Sequence, residues 1–212
     1  MRVRDNVRTI VFAIVLALVC SSILVAASLY TEPYRRANEK AEEVLNFLSA
    51  LEVPVDSGAD AEALLSVFDR NIRVRELGAL SLYEYVPDSS SSEEPIAVAV
   101  PFSGPGLWGP IKGVLALEPD LLTIRGIRFY KHEETPGLGG EISADWFQKQ
   151  FKGKQIVSGE GKPSLSILKP GDSHDGDSVD GITGATMTCD RVQAMLDGLA
   201  TALGEERSNY GQ

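Results

Sequence analysis

The first strong pattern along the chain is a run of uncharged, mostly apolar residues from Thr9 to Leu29. A helix over these 21 residues rises roughly 30 Å at about 1.5 Å per residue, which matches the hydrocarbon thickness of a bilayer. Three basic residues precede the run, Arg2, Arg4 and Arg8, and only Asp5 opposes them. The positive-inside rule therefore predicts a cytoplasmic N-terminus, with everything after the run on the other side of the membrane.

Two other uses of this segment compete with a membrane anchor. A cleavable signal peptide has a shorter apolar region, although Ala26-Ala27-Ser28 offers a weak cleavage site. A lipoprotein signal places a small residue immediately before the modified cysteine, whereas Val19 precedes Cys20. The length of the apolar run favours a retained, single-pass transmembrane helix.

Amphipathic helical patterns and breaks follow the anchor. Apolar residues at helical spacing, among them Val44, Leu45 and Leu48, predict a charged stalk helix. The patterns together predict a stalk helix over 34–51, a break at 53–58, a second helix over 59–71, a strand over 72–82 and a flexible polar loop over 87–92. Residues 30–94 are thus predicted to form a membrane-proximal stalk and helical region.

From residue 95 onward the pattern changes to short strands separated by glycine turns. It predicts strands over 96–101, 113–117, 122–130, 155–158 and 164–168, a short helix over 145–151 and an acidic loop over 171–177. This order is typical of an α+β domain, a twisted and mainly antiparallel sheet with packed helices. The predicted organisation is a cytoplasmic tail (1–8), a transmembrane helix (9–29), the membrane-proximal region (30–94), the α+β domain (95–205) and a C-terminal tail (206–212).

Charge and cysteine usage exclude several functions. Residues 31–212 contain 17 basic and 29 acidic residues, a net charge of −12, so nucleic acid is not an expected partner. Cys20 lies in the anchor and Cys189 far from it, which excludes an internal disulfide. His132 and His174 are not at metal-ligand spacing, and no nucleophile accompanies an acid/base pair, so neither a metal site nor catalytic residues are predicted.

A short glycine-containing stretch, Asp180-Gly-Ile-Thr-Gly-Ala-Thr-Met-Thr188, precedes a helical apolar pattern. Free backbone N–H groups and the positive end of the helix dipole favour an anion at such a helix start. A threonine hydroxyl there can hydrogen-bond a phosphate or carry one covalently. Alternatively, Asp180 and Thr183 turn the chain, and Thr186 or Thr188 caps the helix. The residues alone leave both interpretations open.

Two further loops are candidates for ligand binding. Residues 104–110 place Trp108 in a turn rich in glycine and proline. Such a tryptophan either packs inward as a structural plug or forms a wall for a planar ligand. Residues 132–141 are rich in hydrogen-bonding groups and in glycines that allow the backbone to approach a ligand closely.

These stretches together carry a resemblance to one family. Asp180-Gly-Ile-Thr-Gly-Ala-Thr186 is similar to the sequence that marks covalent flavinylation of bacterial membrane flavoproteins. The order Gly106-Leu-Trp108, Glu134-Thr-Pro-Gly-Leu-Gly-Gly-Glu141, Trp146 and then this motif resembles the family of the C subunit of the sodium-translocating NADH:quinone reductase. The G subunit of the Rnf complex shares much of this pattern.

The resemblance implies a specific flavin site. A flavin transferase would join FMN to Thr186 through a phosphoester, with Thr188 and then Thr183 as the alternative attachment residues. The flavin ring would lie between the Trp108 loop and the 134–140 loop. Asp180 would shape the attachment loop or present it to the transferase. The cofactor-binding residues implied are Leu107, Trp108, Glu134, Thr135, Gly137, Leu138, Gly139, Asp180, Thr183, Gly184 and Ala185.

The function that the resemblance implies is electron transfer. The chain would relay electrons as one member of a membrane respiratory complex that couples NADH oxidation and quinone reduction to Na⁺ export, and would be inactive alone. Its flavin domain would lie on the periplasmic side of the bacterial inner membrane, with the other subunits and membrane lipid as partners. The alternatives are an Rnf-type G subunit, a non-pumping tethered flavin carrier and a tethered domain without flavin.

Overall fold

A computed structural model describes residues 2–56, 58–88, 94–172 and 176–210. These residues form two compact units, Met1–Ala41 and Glu42–Gln212. Most of the predicted polar loop over 87–92 and His174 lie outside the described residues.

Helix α1, Arg2–Ala50, joins the predicted anchor and stalk in one continuous helix. It is long and apolar enough to cross a membrane. Its large apolar side chains from Val7 to Leu29 are exposed, with Leu24 and Leu29 each 70% exposed, as a lipid-facing surface requires. Pro33 lies inside the helix, where it removes one backbone donor.

Helix α2, Ala61–Asn71, confirms the second predicted helix. The Asp60 carboxylate accepts a hydrogen bond from the Ala63 N–H at 2.8 Å, and this contact caps the helix. The single strand predicted over 72–82 is wrong, because the chain reverses at Gly78, whose φ is +57°. The segment is instead a hairpin of β1, Ile72–Leu77, and β2, Leu80–Tyr85.

Five strands form one antiparallel sheet in the order β1-β2-β3-β4-β5. Strands β3, Ala97–Pro105, β4, Pro110–Leu117, and β5, Ile124–Lys131, confirm three predicted strands and extend two of them toward the turn between β3 and β4. The predicted boundary at residue 94 falls within this sheet, because β1 pairs with β2 and β2 pairs with β3. The loop over 104–110 is therefore the turn of the β3–β4 hairpin.

The rest of the chain packs short elements and one long helix on the sheet. They are a 3₁₀ helix at Gly139–Ser143, α3 at Asp145–Gln148, a second 3₁₀ helix at Lys149–Phe151, β6 at Ser166–Leu168, β7 at Ser178–Asp180 and α4 at Thr186–Tyr210. Strands β6 and β7 form a separate parallel pair, and β7 was not predicted. The predicted strand over 155–158 is wrong, since its residues form only isolated bridges. Residues 206–210 belong to α4 rather than to a tail.

The hydrophobic core lies between the sheet and the helices α3 and α4. Its fully buried members come from every layer: Leu115, Leu117, Ile124, Phe147, Phe151, Val192, Leu196 and Leu203. This architecture confirms the α+β prediction. It also fixes the start of α4 beside the β3–β4 turn, since α4 packs along β3.

Two glycines inside α4 give opposite predictions. A Cβ on Gly204 would overlap the carbonyl oxygen of Gly161, whereas a Cβ on Gly198 would meet nothing within 4 Å. We expect Gly198→Ala to raise the free energy of unfolding by about 0.5–1 kcal/mol, because alanine is the better helix former. Gly204→Ala should lower it by about 1–3 kcal/mol through overpacking. Urea unfolding of both variants in mild detergent measures this, and equal effects would contradict the close backbone packing at Gly204.

Candidate functional site

Three segments of the larger unit meet around one open cavity of about 350 Å³. They are the β3–β4 turn, the loop that follows β5 and the start of α4. The cavity is lined by Leu107, Trp108, Glu134, Thr135, Leu138, Gly139, Gly184, Ala185, Thr186, Met187 and Thr188. All three stretches singled out in the sequence therefore contribute to one site, although they lie far apart along the chain.

The β3–β4 turn presents apolar side chains to this cavity. The Gly106 N–H donates to the Gly109 carbonyl at 2.8 Å and closes the turn. Trp108 at its tip is 68% exposed, and Leu107 is 41% exposed. Trp108 is therefore not an inward-packed plug, and it lines the cavity. Its role as a wall for a planar ligand stays a prediction.

The loop after β5 folds tightly before the 3₁₀ helix. The Thr135 carbonyl accepts hydrogen bonds from the N–H groups of Leu138 at 3.1 Å and Gly140 at 2.9 Å. Gly137 has a φ of +74°, which favours glycine. The turn leaves Leu138 exposed at the cavity wall, whereas Glu134, which directly precedes the turn, is buried.

The start of α4 offers backbone donors to an anion. Gly184, at φ +78°, turns the chain into the helix, and a Cβ there would lie only 3.1 Å from Leu138. The first backbone bond of the helix runs from the Cys189 N–H to the Ala185 carbonyl at 3.0 Å. The three preceding N–H groups, those of residues 186–188, lie at the positive end of the helix dipole, where phosphate is stabilised.

The hydroxyls of the motif have different environments. Thr186, the first residue of α4, is exposed and lines the cavity. The Thr188 side chain is only 2% exposed, and its hydroxyl donates to the Glu134 carboxylate at 2.7 Å rather than capping the helix. Thr183 is exposed but does not line the cavity. Of the three threonines of the motif, Thr186 is thus the one that is both exposed and part of the cavity lining.

Three residues expected to bind the cofactor, Gly137, Asp180 and Thr183, do not line the cavity. Asp180 ends β7, and its carboxylate accepts from the Gly171 N–H at 2.9 Å. Its backbone N–H and carbonyl bond the Gln150 side-chain amide at 2.8 and 3.1 Å. These contacts join the beginning of the 180–188 stretch to Gly171 and Gln150. The role of Asp180 in shaping an attachment loop stays a prediction.

Two residues that line the cavity, Met187 and Thr188, are not among the cofactor-binding residues that the resemblance implies, although Thr188 is a candidate helix cap and an alternative attachment residue. The sequence did contain a signal for both residues. They directly follow Thr186 and therefore belong to the first turn of the predicted helix, where an anion is expected to bind. Met187 is 57% exposed and adds an apolar side chain beside Thr186.

Cys189 lies directly behind this site, in the first turn of α4. Its side chain is 6% exposed, and its Sγ accepts a hydrogen bond from the Ile182 N–H at 3.3 Å. Burial raises the pKa of the Cys189 thiol above its ordinary value, so less thiolate forms at neutral pH. This environment fits a small buried residue.

We therefore expect Cys189 to resist maleimide in the native protein and to react fully in urea. Intact mass spectrometry of the Cys20→Ser chain, which retains Cys189 as its single thiol, measures the labelling. The native rate should be lower than that in urea by a factor on the order of 100. Rapid labelling of the native chain would contradict the observed burial.

Comparison with known sequences identifies relatives of this region. The FMN-binding domain family model matches residues 106–200. The C subunit of the Na(+)-translocating NADH-quinone reductase of Neisseria meningitidis serogroup A is 42% identical over 96 residues, which is 45% of this chain and 37% of that relative. The match thus spans little more than a third of that relative's length. The corresponding C subunit of Pasteurella multocida is 25% identical, over 87% of this chain and 85% of its own length.

Comparison with solved structures supports the fold. The C subunit of the Na(+)-translocating NADH-quinone reductase from Parabacteroides distasonis matches 82% of this chain and 96% of its own, with a TM-score of 0.68 and 28% identity. Shewanella oneidensis NqrC also has a TM-score of 0.68, at 23% identity, over 81% of this chain and 98% of its own. The α+β architecture described above is therefore one that solved structures also adopt.

Proposed function

We propose that this chain belongs to the FMN-binding domain family together with the C subunits of Na(+)-translocating NADH-quinone reductases, to which it is similar, and that it is a membrane-tethered electron carrier that holds FMN through a phosphoester to Thr186. One observation carries the proposal: an exposed threonine hydroxyl lies at the N-terminus of a helix and within a cavity whose other walls are largely apolar. This arrangement provides both an attachment point and a binding surface.

The residues present fit the two chemically different ends of FMN. The free N–H groups and dipole at the start of α4 suit the phosphate. The exposed side chains of Leu107, Trp108, Leu138 and Met187 suit a planar, largely apolar ring. A hydroxyl that is accessible to another enzyme is also needed for attachment, and Thr186 supplies it.

Each part of the site has a separate task. When bound, the flavin supplies reversible oxidation and reduction in one-electron or two-electron steps. The ester bond to Thr186 keeps the cofactor from diffusing away, and the start of α4 holds the phosphate. The apolar walls orient the ring and exclude water from it, and Asp180 keeps the attachment loop in the shape that a flavin transferase would recognise.

We place this carrier within a larger membrane complex. The apolar part of α1 would anchor the chain in a bacterial inner membrane, with the N-terminus in the cytoplasm and the flavin domain on the periplasmic side. Other subunits would deliver and remove electrons while the complex couples NADH oxidation and quinone reduction to Na⁺ export. The Neisseria and Pasteurella relatives are both C subunits of the Na(+)-translocating enzyme, which favours this complex over an Rnf-type one or a non-pumping carrier.

The test is the covalent state of the full-length chain. We would express it in cells with and without a flavin transferase, denature it, and measure the intact mass and the masses of its peptides. The expected result is a gain equal to FMN less one water, only with the transferase, on the peptide that contains Thr186. An unmodified chain, in cells where a control substrate is flavinylated, would overturn the proposal and favour a tethered domain without flavin.

A further inference from the structure

The side chain of Glu134 is a buried carboxylate at the edge of the cavity. It is only 5% exposed, although the neighbouring Glu133 is exposed. A buried carboxylate is stable only where hydrogen-bond donors replace the water that it loses. The donors around Glu134 therefore show what this side chain does in the structure.

The two oxygens of Glu134 bond two segments that are distant in the sequence. Oε1 accepts from the Leu107 N–H at 2.7 Å and from the Trp108 N–H at 3.3 Å. Oε2 accepts from the Thr188 hydroxyl at 2.7 Å. One carboxylate on the loop after β5 thus connects the β3–β4 turn to the first turn of α4, and so links all three segments of the site.

Close backbone packing fixes the position of this carboxylate. A Cβ on Gly106 would lie 2.5 Å from Oε1 of Glu134. A Cβ on Gly139 would lie 2.7 Å from Oε2 and 2.5 Å from the Thr188 hydroxyl. The glycines allow the backbone to pack against the carboxylate from two sides, which leaves its oxygens no alternative position without movement of a loop.

We propose, on the basis of the flavin function proposed above, that Glu134 is a positioning residue that holds the Trp108 wall at a fixed place relative to Thr186, and that its negative charge lowers the reduction potential of the bound flavin. The positional part follows from the hydrogen bonds that join Trp108, Glu134 and the first turn of α4. The electrostatic part follows because Glu134 lines the cavity. A buried negative charge disfavours the arrival of an electron nearby, with little screening by solvent.

The positional part is tested without flavin. We would measure amide hydrogen exchange in the full-length chain, expressed without a transferase, for Glu134→Ala and for the matched control Glu133→Ala. We expect exchange at the Leu107 and Trp108 amides to become faster on the order of tenfold in Glu134→Ala and to change much less in the control, because these amides donate to Glu134 whereas Glu133 only packs against Gly109 of the same turn. Retained protection of these amides in Glu134→Ala would overturn the positional role.

A second variant covers the case in which Glu134→Ala does not fold. Thr188→Val removes the hydroxyl at the other end of the link while it keeps the shape of the side chain. It should also speed exchange at Leu107 and Trp108, because Oε2 of Glu134 loses its partner. Unchanged exchange at both amides would show that the link to α4 does not hold the turn.

The electrostatic part is tested on the flavinylated full-length chain. Glutamine at 134 can still accept from the two N–H groups and can donate its amide to Thr188, so Glu134→Gln removes the charge and preserves the contacts. Spectroelectrochemical titration should show a higher midpoint potential for Glu134→Gln than for the wild type, with a smaller rise for Glu133→Gln.

The outcomes separate this inference from the function on which it rests. Equal shifts in the two glutamine variants, or a fall in Glu134→Gln, would overturn the charge effect. A wild-type chain that never acquires covalent flavin would instead overturn the proposed function. The hydrogen-exchange result would still decide whether Glu134 positions the Trp108 turn.

Discussion

The Thr186→Val chain is expected to carry no covalent flavin when it is co-expressed with a flavin transferase, whereas the wild-type chain should be modified nearly completely. Valine keeps the shape of threonine but has no hydroxyl to form the ester. The first turn of α4 should therefore remain intact, because the Thr186 side chain is exposed and buries little surface. In-gel flavin fluorescence and intact mass measure the loss.

Two neighbouring threonines provide matched controls. Thr183→Val changes an exposed hydroxyl outside the cavity, and Thr188→Val changes a buried one that donates to Glu134. Both variants should retain covalent flavin, since neither supplies the accessible hydroxyl at the start of α4. Covalent flavin on Thr186→Val, or its loss from Thr183→Val alone, would overturn the assignment of the attachment residue.

The elements that the sequence predicted well are those with strong local signals. The helical spacing of residues 59–71 predicted α2 to within two residues, and the anchor and stalk patterns predicted most of α1, which also includes residues 2–8 and 30–33. Predictions failed where pairing between distant segments decides the structure. Residues 72–82 look like one strand, yet Gly78 reverses the chain, and β7 is three residues that pair with β6. A strand this short has no periodicity to detect.

The site was also predictable only in part, because its loops have local sequence signals whereas its contacts join distant segments. The resemblance identified the loops, and the structure brings them around one cavity. It did not indicate which residues of each loop line the cavity. It implied Asp180 as a cofactor-binding residue, whereas Asp180 lies outside the cavity lining and bonds Gly171 and Gln150. The bond between Glu134 and Thr188 joins residues 54 positions apart, and no local pattern reveals a contact of that separation.

The packing of Glu134 also explains why glycines occur on both sides of it. Gly106 and Gly139 lie close to its carboxylate oxygens, whereas a Cβ on Gly137 would meet nothing within 4 Å. Gly106 and Gly139 are therefore required because the Glu134 carboxylate lies so close to their backbone, whereas Gly137 is required because of its positive φ. A single glycine-rich stretch such as 137–140 thus combines two different physical requirements that the sequence alone does not separate.

Phe147→Ala is expected to lower the free energy of unfolding by about 3–5 kcal/mol, which is the usual cost of removing a fully buried phenylalanine. Phe147 is 0% exposed. Its ring lies 6.3 Å from that of Phe129, 5.8 Å from that of Trp146 and 5.2 Å from that of Phe151. Because a domain of this size is stable by only about 5–15 kcal/mol, the loss would be a large share of the total. Urea unfolding of the full-length chain in mild detergent, followed by near-ultraviolet circular dichroism, measures it.

Two variants show whether this loss comes from a cavity in the core. Phe147→Leu keeps most of the volume and should cost less than about 2 kcal/mol. Trp146→Ala removes a larger ring, but one that is 48% exposed, so its cost should be well below that of Phe147→Ala. If Trp146→Ala were the more damaging change, the α3 segment would be held mainly by its exposed face rather than by the buried Phe147.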